Sequence, residues 1–180
     1  MSAVRFWFFF LGTLAADQVT KSWAQGKASL LRENPILVLD FIDGPEAFLE
    51  FTYITNPGAA WSMFSDFPEV LTALAFVALI GIYLFRHSLE LEKIGPQIIF
   101  GLIAGGIAGN LGDRLFRTPA EVVDFIDVYL PLLDYDYPIF NLADSFIFLG
   151  VFSYIIRGFR EAAEEKKAAL ASETTNSSDS

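Results

Sequence analysis

The segment YPIFNLADSFIFLGVFSYIIRGF (137–159) opens on polar residues and then runs almost purely apolar to Arg157, yet it carries Asp144 inside the run. An ionisable side chain in hydrocarbon is costly, so such a residue marks a functional site by default. Asn141 precedes it by three residues and Ser145 follows it, which puts all three on one helical face. Asn110, Asp113 and Arg114, in GGIAGNLGDR (105–114), repeat that spacing in a second apolar block. Asp17 and Lys21, in DQVTK (17–21), are an i, i+4 pair of opposite sign placed to neutralise each other. Another acid, Asp124, lies among apolar neighbours in EVVDFIDVY (121–129), and in a strand it would share a face with Val122 and Ile126. Asp124 has two readings here: a solvated loop acid, or a carboxylate held partly desolvated at a membrane surface. Asp127 is a weaker candidate of the same kind.

The apolar blocks supply the scaffold for these residues. Of 180 residues, 53% are hydrophobic and 19 are Phe, and they cluster in blocks rather than alternating. Four blocks approach the roughly 20 residues a spanning helix needs: Val4–Trp23, Glu69–Arg86, Gln97–Leu115 and Ile139–Arg157. The expected fold is a membrane α-helical domain of four transmembrane helices over residues 1–160. The polar tail, 161–180, reads as a short charged helix passing into disorder. Arg5, Arg86, Lys93, Arg157, Arg160, Lys166 and Lys167 fall in the termini and the short second loop. Only Lys27, Arg32, Arg114 and Arg117 fall in or beside the two long loops. Both termini are therefore expected in the cytoplasm. A cleaved signal peptide is a rival reading of the first block, but the pattern continues through Val19 and Trp23, and Leu14 is not the small residue a cut after Ala16 needs. In the first long loop LVLDFIDG (37–44) and FLEFTYITN (48–56) read as strands and NPG (56–58) as a type II turn. A small sheet is expected there on the outer face, with Trp61 at the interface. Gly101, Gly105 and Gly109, with Gly106, let another helix approach closely and imply packing alone.

With a rise of ~1.5 Å per residue, Asp17, Asn110, Asn141 and Asp144 all lie within roughly 10 Å of the outer helix ends. The inner halves of the helices are nearly all apolar. A polar layer at one depth makes a pocket opening sideways or outward, whereas an ion or proton path needs polar groups at several depths. With no Cys there is no disulfide, thiolate nucleophile or Cys-bound zinc, and the one histidine, His87, reads as a solvated residue at a helix end. Ser-His and Cys-His schemes and His-rich metal sites therefore lack parts, and no metal or cofactor is expected. The net charge of −10 argues against a nucleic-acid partner. Two rivals remain: a Ser-Lys peptidase using Ser62 or Ser145 with Lys21, and a non-enzymatic carrier that holds a ligand in the polar layer.

Taken in order, DQVTK (17–21), NPGAAWSMF (56–64), GGIAGNLGDR (105–114), VVDF (122–125) and FNLADS (140–145) resemble the motif blocks of the lipoprotein signal peptidase (signal peptidase II) family. The resemblance runs from residue 4 to about 160. Trp61 stands where the family more often has Phe, and the segment around 40–50 is longer and more acidic than usual. It implies an intramembrane aspartic peptidase of the bacterial inner membrane, working near the extracytoplasmic face. Its substrates would be prolipoproteins already bearing diacylglycerol, cut just before the modified cysteine, and membrane lipids would be its surroundings. The catalytic pair maps by resemblance to Asp124 and Asp144, and the supporting polar positions to Asp17, Lys21, Asn56, Asn110, Asp113, Arg114 and Asn141. Two carboxylates brought together do not both ionise readily, so one can act as base and the other as acid. A monomer is expected, since the glycine ladder can be satisfied within one chain.

Overall fold

The computed structural model describes residues 3–40, 47–58 and 63–178, with side chains through Ala169. The elements run α1 (Val4–Gly26), α2 (Ala28–Glu33), β1 (Ile36–Leu39), β2 (Leu49–Asn56), α3 (Pro68–Leu84), α4 (Ile94–Phe116), β3 (Val122–Leu130), β4 (Tyr135–Phe140) and α5 (Leu142–Ser178). Helix α4 is central, and α1, α3 and α5 all pack against it.

Small residues allow that close packing. A Cβ on Gly101 would lie 2.8 Å from the Phe6 carbonyl oxygen, and one on Gly105 2.7 Å from that of Phe10, so this edge of α4 is flush with α1. Gly106 of α4 and Gly150 of α5 do the same between those helices, with added Cβ atoms 2.5 Å from the Ala143 carbonyl oxygen and from Ile103 respectively. Pro68 opens α3 at a position whose N–H has no helical partner anyway, and Pro96 sits in the first turn of α4 for the same reason. That tolerance lets α4 begin at Ile94, ahead of the expected Gln97.

Helix α4, and α5 over Leu142–Ala169, are long and apolar enough to cross a membrane, while the apolar α3 has 17 residues. The outward faces are apolar too: Phe8 is 71% exposed, Val77 65% and Phe148 66%. Water does not favour such a surface, and lipid does.

The sheet has strand order β1-β2-β3-β4, every pair antiparallel. Val123 and Phe125 of β3 pack with Tyr53 of β2, Ala24 of α1 and Leu31 of α2 in one buried cluster. Trp23 closes it, its ring edge-on to Phe51 at 5.5 Å and Phe125 at 6.2 Å. The sheet is thereby fixed to one end of the bundle.

Four expectations change. The fourth block does not start as a helix at Ile139, because Tyr135–Phe140 pairs with β3 as a strand and the helix begins at Leu142. No described glycine has a positive φ, so Gly58 is not the third residue of a type II turn. Instead the Asn56 side-chain oxygen accepts the Gly58 N–H at 2.9 Å and closes the turn itself. The chain beyond Glu161 continues as helix to Ser178, where a short helix and then disorder was expected. Helix α2 was not anticipated; Leu31, wholly buried beneath the sheet, holds it in place. Trp61, Ser62 and residues 41–44 of the first strand reading lie outside the described residues.

Candidate active site

The junction of β4 and α5 sets the first carboxylate. The Asp144 N–H donates to Asn141 Oδ1 at 3.0 Å and the Asn141 N–H donates to Asp144 Oδ2 at 3.3 Å. This is a capping box, with Asn and Asp in place of the usual Ser and Glu, and it fixes both side chains at the helix start. Asp144 therefore lies in the first turn of α5, closer to the helix end than a start at Ile139 would put it.

The second carboxylate comes from the sheet. Alternation along β3 sends Val123 and Phe125 into the core cluster and leaves Val122 and Asp124 lining a cavity on the other side. Asp124 is 3% exposed, so the desolvated reading holds and the solvated loop acid does not. The β2–β3 register sets Asn56 opposite Val122, within reach of Asp124, to which its amide donates at 3.2 Å.

Two asparagines join the carboxylates. Asn141 Nδ2 donates to Asp124 Oδ1 at 2.6 Å and to Asn110 Oδ1 at 3.1 Å, and Asn110 Nδ2 donates to Asp144 Oδ1 at 2.7 Å. Asn110 is oriented in turn by Lys21, whose ammonium donates to its Oδ1 at 2.7 Å.

Lys21 is the centre of a separate, wholly buried group. Its ammonium meets Asp17 and Asp113, each at 2.9 Å, and all three residues are 0% exposed. Arg117 pairs with Asp113 at 2.7 Å, and Gln18 donates to Asp17, to Asp113 and to the Gly109 carbonyl oxygen. Asp17 also accepts the Ala143 N–H at 3.0 Å and Asp113 the Val123 N–H at 3.2 Å. These two acids thus pin the backbone on either side of the cavity carboxylates: Ala143 next to Asp144, and Val123 next to Asp124. Gly109 makes room for this, because any Cβ there would collide with the Asp17 carboxylate.

Asp113 does not pair with its neighbour Arg114 but with Lys21 and Arg117. Arg114 instead holds the 56–58 turn to α4, donating to the Gly58 carbonyl oxygen at 2.8 Å and to that of Asn110 at 3.3 Å. Asp127 does not line the cavity; it stands opposite Glu50 in the ladder. Gln18 and Arg117 were missed, although the i, i+4 spacing of Asp113 and Arg117 was visible in the sequence. Lys21 spends all three of its donors on Asp17, Asp113 and Asn110, and the Ser145 hydroxyl donates to the Asn141 carbonyl oxygen at 3.0 Å, so this pair does not form a Ser-Lys site.

The cavity holds about 620 Å³. Asp124, Asp144, Asn56, Asn110 and Arg114 line its polar end; Leu71, Leu74 and Ala78 of α3 face Ile147, Phe148 and Val151 of α5 along an apolar length. Burial first, and then the charge of Asp144, push the Asp124 carboxyl from 3.8 up to about 7. The arrangement suits general acid–base chemistry on a bond delivered along an apolar groove.

The sequence model of the family described as signal peptidase (SPase) II matches residues 9–160. The lipoprotein signal peptidase of Nostoc punctiforme is 36% identical over 159 residues, covering 87% of this chain and 90% of that protein. The lipoprotein signal peptidase of Acaryochloris marina is 38% identical over 149 residues, covering 81% and 83%. A solved structure described as a bacterial membrane enzyme superposes with a TM-score of 0.74 at 29% identity, covering 87% of this chain and 88% of that one. A second of the same description gives 0.63 at 30% identity, covering 83% and 89%.

Proposed function

Given that the chain belongs to the signal peptidase II family, we propose that it is an aspartic endopeptidase of the bacterial inner membrane. Its substrates are diacylglyceryl-modified prolipoproteins, from which it removes the signal peptide by cutting just before the lipidated cysteine. One observation carries the catalytic assignment: Asp124 and Asp144 face one cavity, joined through Asn141 and Asn110, and neither forms an ion pair among the described residues. Asp144, ionised, takes a proton from water as its oxygen attacks the scissile carbonyl carbon. Asp124 gives its proton to the carbonyl oxygen. In collapse of the tetrahedral intermediate the C–N bond breaks, the amine leaves with a proton from Asp144, and Asp124 recovers one from the intermediate's hydroxyl. Asn56 and Asn141 hold Asp124 in place, and Arg114, by fixing the 56–58 turn, holds Asn56.

The enzyme spans the membrane by α1, α3, α4 and α5 with both termini in the cytoplasm. Residues 1–160 form the peptidase domain, 161–180 a cytoplasmic tail, and the monomer is the working unit. The sheet and the carboxylates then lie near the outer face, and a lipid-anchored substrate slides in laterally between α3 and α5.

The test is cleavage of a diacylglyceryl-modified precursor by purified protein and by its Asp124→Asn and Asp144→Asn variants, each checked for folding. Two folded, inactive variants support the dyad. Near-native turnover by either removes that residue from it. Wild-type protein that binds the precursor without shortening it would favour the carrier reading.

A further inference from the structure

One face of α5 continues past the active site. Asp144, Ile147 and Val151 line the cavity described above, and the same three-and-four spacing then reaches Tyr154, Gly158, Glu161 and Glu165. Those four line a second cavity, of about 490 Å³, further along the helix against the α3–α4 loop. Alternating steps of three and four keep a helix face turned toward a second helix packed alongside. The face changes character along its length, from carboxylate to apolar to acidic. Asp144 and Glu165 are separated by about 32 Å of helix, close to the thickness of a bilayer's hydrocarbon core.

The lining of this second cavity has a net negative charge, with Arg160, Lys166 and Lys167 of the same helix standing outside it. Glu90 is held by Lys93 and Arg157, and Glu161 by Arg157, whereas Glu164 and Glu165 take part in no ion pair among the described residues. Among the described residues, Arg157 and Lys93 are the cations facing this cavity, and four carboxylates face them.

We propose that this face of α5 is the docking track for the signal peptide as a helix, and that Glu164 and Glu165 receive its basic N-terminal region. The proposal rests on the peptidase reading above. A signal peptide consists of a positively charged start, an apolar stretch and a cleavage site. Its basic end stays on the cytoplasmic side. Run along α5 from the acidic end to Asp144, those three parts meet charge, apolar surface and catalytic carboxylates in the matching order. The occupant is therefore the substrate rather than a lipid, which would match the apolar length but not a negative end.

The test uses the full chain in neutral phosphatidylcholine nanodiscs with two diacylglyceryl-modified precursors that differ only in Lys or Gln at the N-terminal region. Wild-type protein should favour the basic precursor about three- to fivefold in kcat/KM, chiefly through KM, the size expected for exposed ion pairs. In a Glu164→Gln, Glu165→Gln double variant the ratio should fall to about one, and in a Glu164→Lys, Glu165→Lys variant it should invert. Because each ratio compares two substrates on one protein, a partly unfolded variant does not disturb it. A ratio of about one in the wild type, or the same ratio in all three proteins, overturns the track while leaving the peptidase standing. No cleavage of either precursor by the wild type would remove both.

Discussion

Two carboxylate pairs occupy the same layer of this protein, and they are partnered in opposite ways. Asp17 and Asp113 have no exposure, share Lys21 between them and, for Asp113, add Arg117. Asp124 and Asp144 touch asparagine amides instead of cations and face a cavity. The first pair spends its charge on holding α1, α4, α5 and β3 together, through the Ala143 and Val123 N–H groups. The second meets no cation in an ion pair among the described residues, which suits the catalytic role proposed for it. On the proposed reading, what separates a structural acid from a chemical one is its partner, since residue type and layer are shared.

Exchanging the pairs' chemistry should separate them sharply. Asn at position 124 or 144 keeps the size of Asp but cannot transfer protons, and turnover should fall by about 10³-fold or more. The thermal midpoint should not fall, because no ion pair is lost. Lys21→Met should do the reverse. It strands Asp17 without a cation and leaves Asp113 only Arg117, and breaking a buried pair costs about 3–5 kcal/mol. The expected result is a large drop in thermal stability in detergent. Neutralising Asp17 as well, by Asp17→Asn, should recover part of it, and a double-mutant cycle measures how much. A Lys21→Met protein that melts like the wild type but turns over slowly would erase the distinction.

Part of this comparison could be read from the sequence. The Asp17–Lys21 pair follows from helix spacing, and the common depth of the polar layer follows from block lengths and rise per residue. The bulk apolar blocks and two strands of the sheet were legible for the same reason: each has a local period. What was not legible depends on contacts far apart in the chain. Whether Asp113 pairs with Arg114 or reaches Lys21 is decided by how α1 packs on α4. Burial of Asp124 is decided by a sheet that takes strands from both loops and a core that takes Trp23 from α1. The helix start at Leu142 was masked because Tyr135–Phe140 is apolar enough to pass for helix, while the Asn141–Asp144 capping box that marks it could have been found. The glycine ladder showed close packing but not its consequence, that Gly109 shapes the seat of Asp17.

That seat gives a smaller test. Gly109→Ala should cost about 1–3 kcal/mol, the usual range for forcing extra volume into a packed interior. The displaced group is the Asp17 carboxylate, so the loss should also disturb the Ala143 contact beside Asp144 and slow turnover in the folded fraction. Gly112→Ala on the same helix is the control: its added Cβ would meet only the Gln18 amide, at 3.9 Å, and Ala favours helix. Equal stabilities for the two variants would mean that Asp17 is not held where the structure has it.

The mildest test changes only the pH, and it acts on the chemical pair alone. In the proposed mechanism Asp124 must carry a proton to donate, and burial pushes its carboxyl up to about 7. As pH rises through that value the proton is lost, and kcat/KM should fall about tenfold per pH unit above it, the limit for loss of one essential proton. Stability carries the same sign. Between 3.8 and about 7 the native state binds this proton more tightly than the unfolded chain does, so this group makes the fold less stable as pH rises, by up to about 1.4 kcal/mol per unit. Asp124→Asn should remove that slope, and Asp113→Asn should leave it in place. An activity profile flat from pH 6 to 9 would mean that Asp124 is ionised in the working enzyme and that the two pairs are less different than their partners imply.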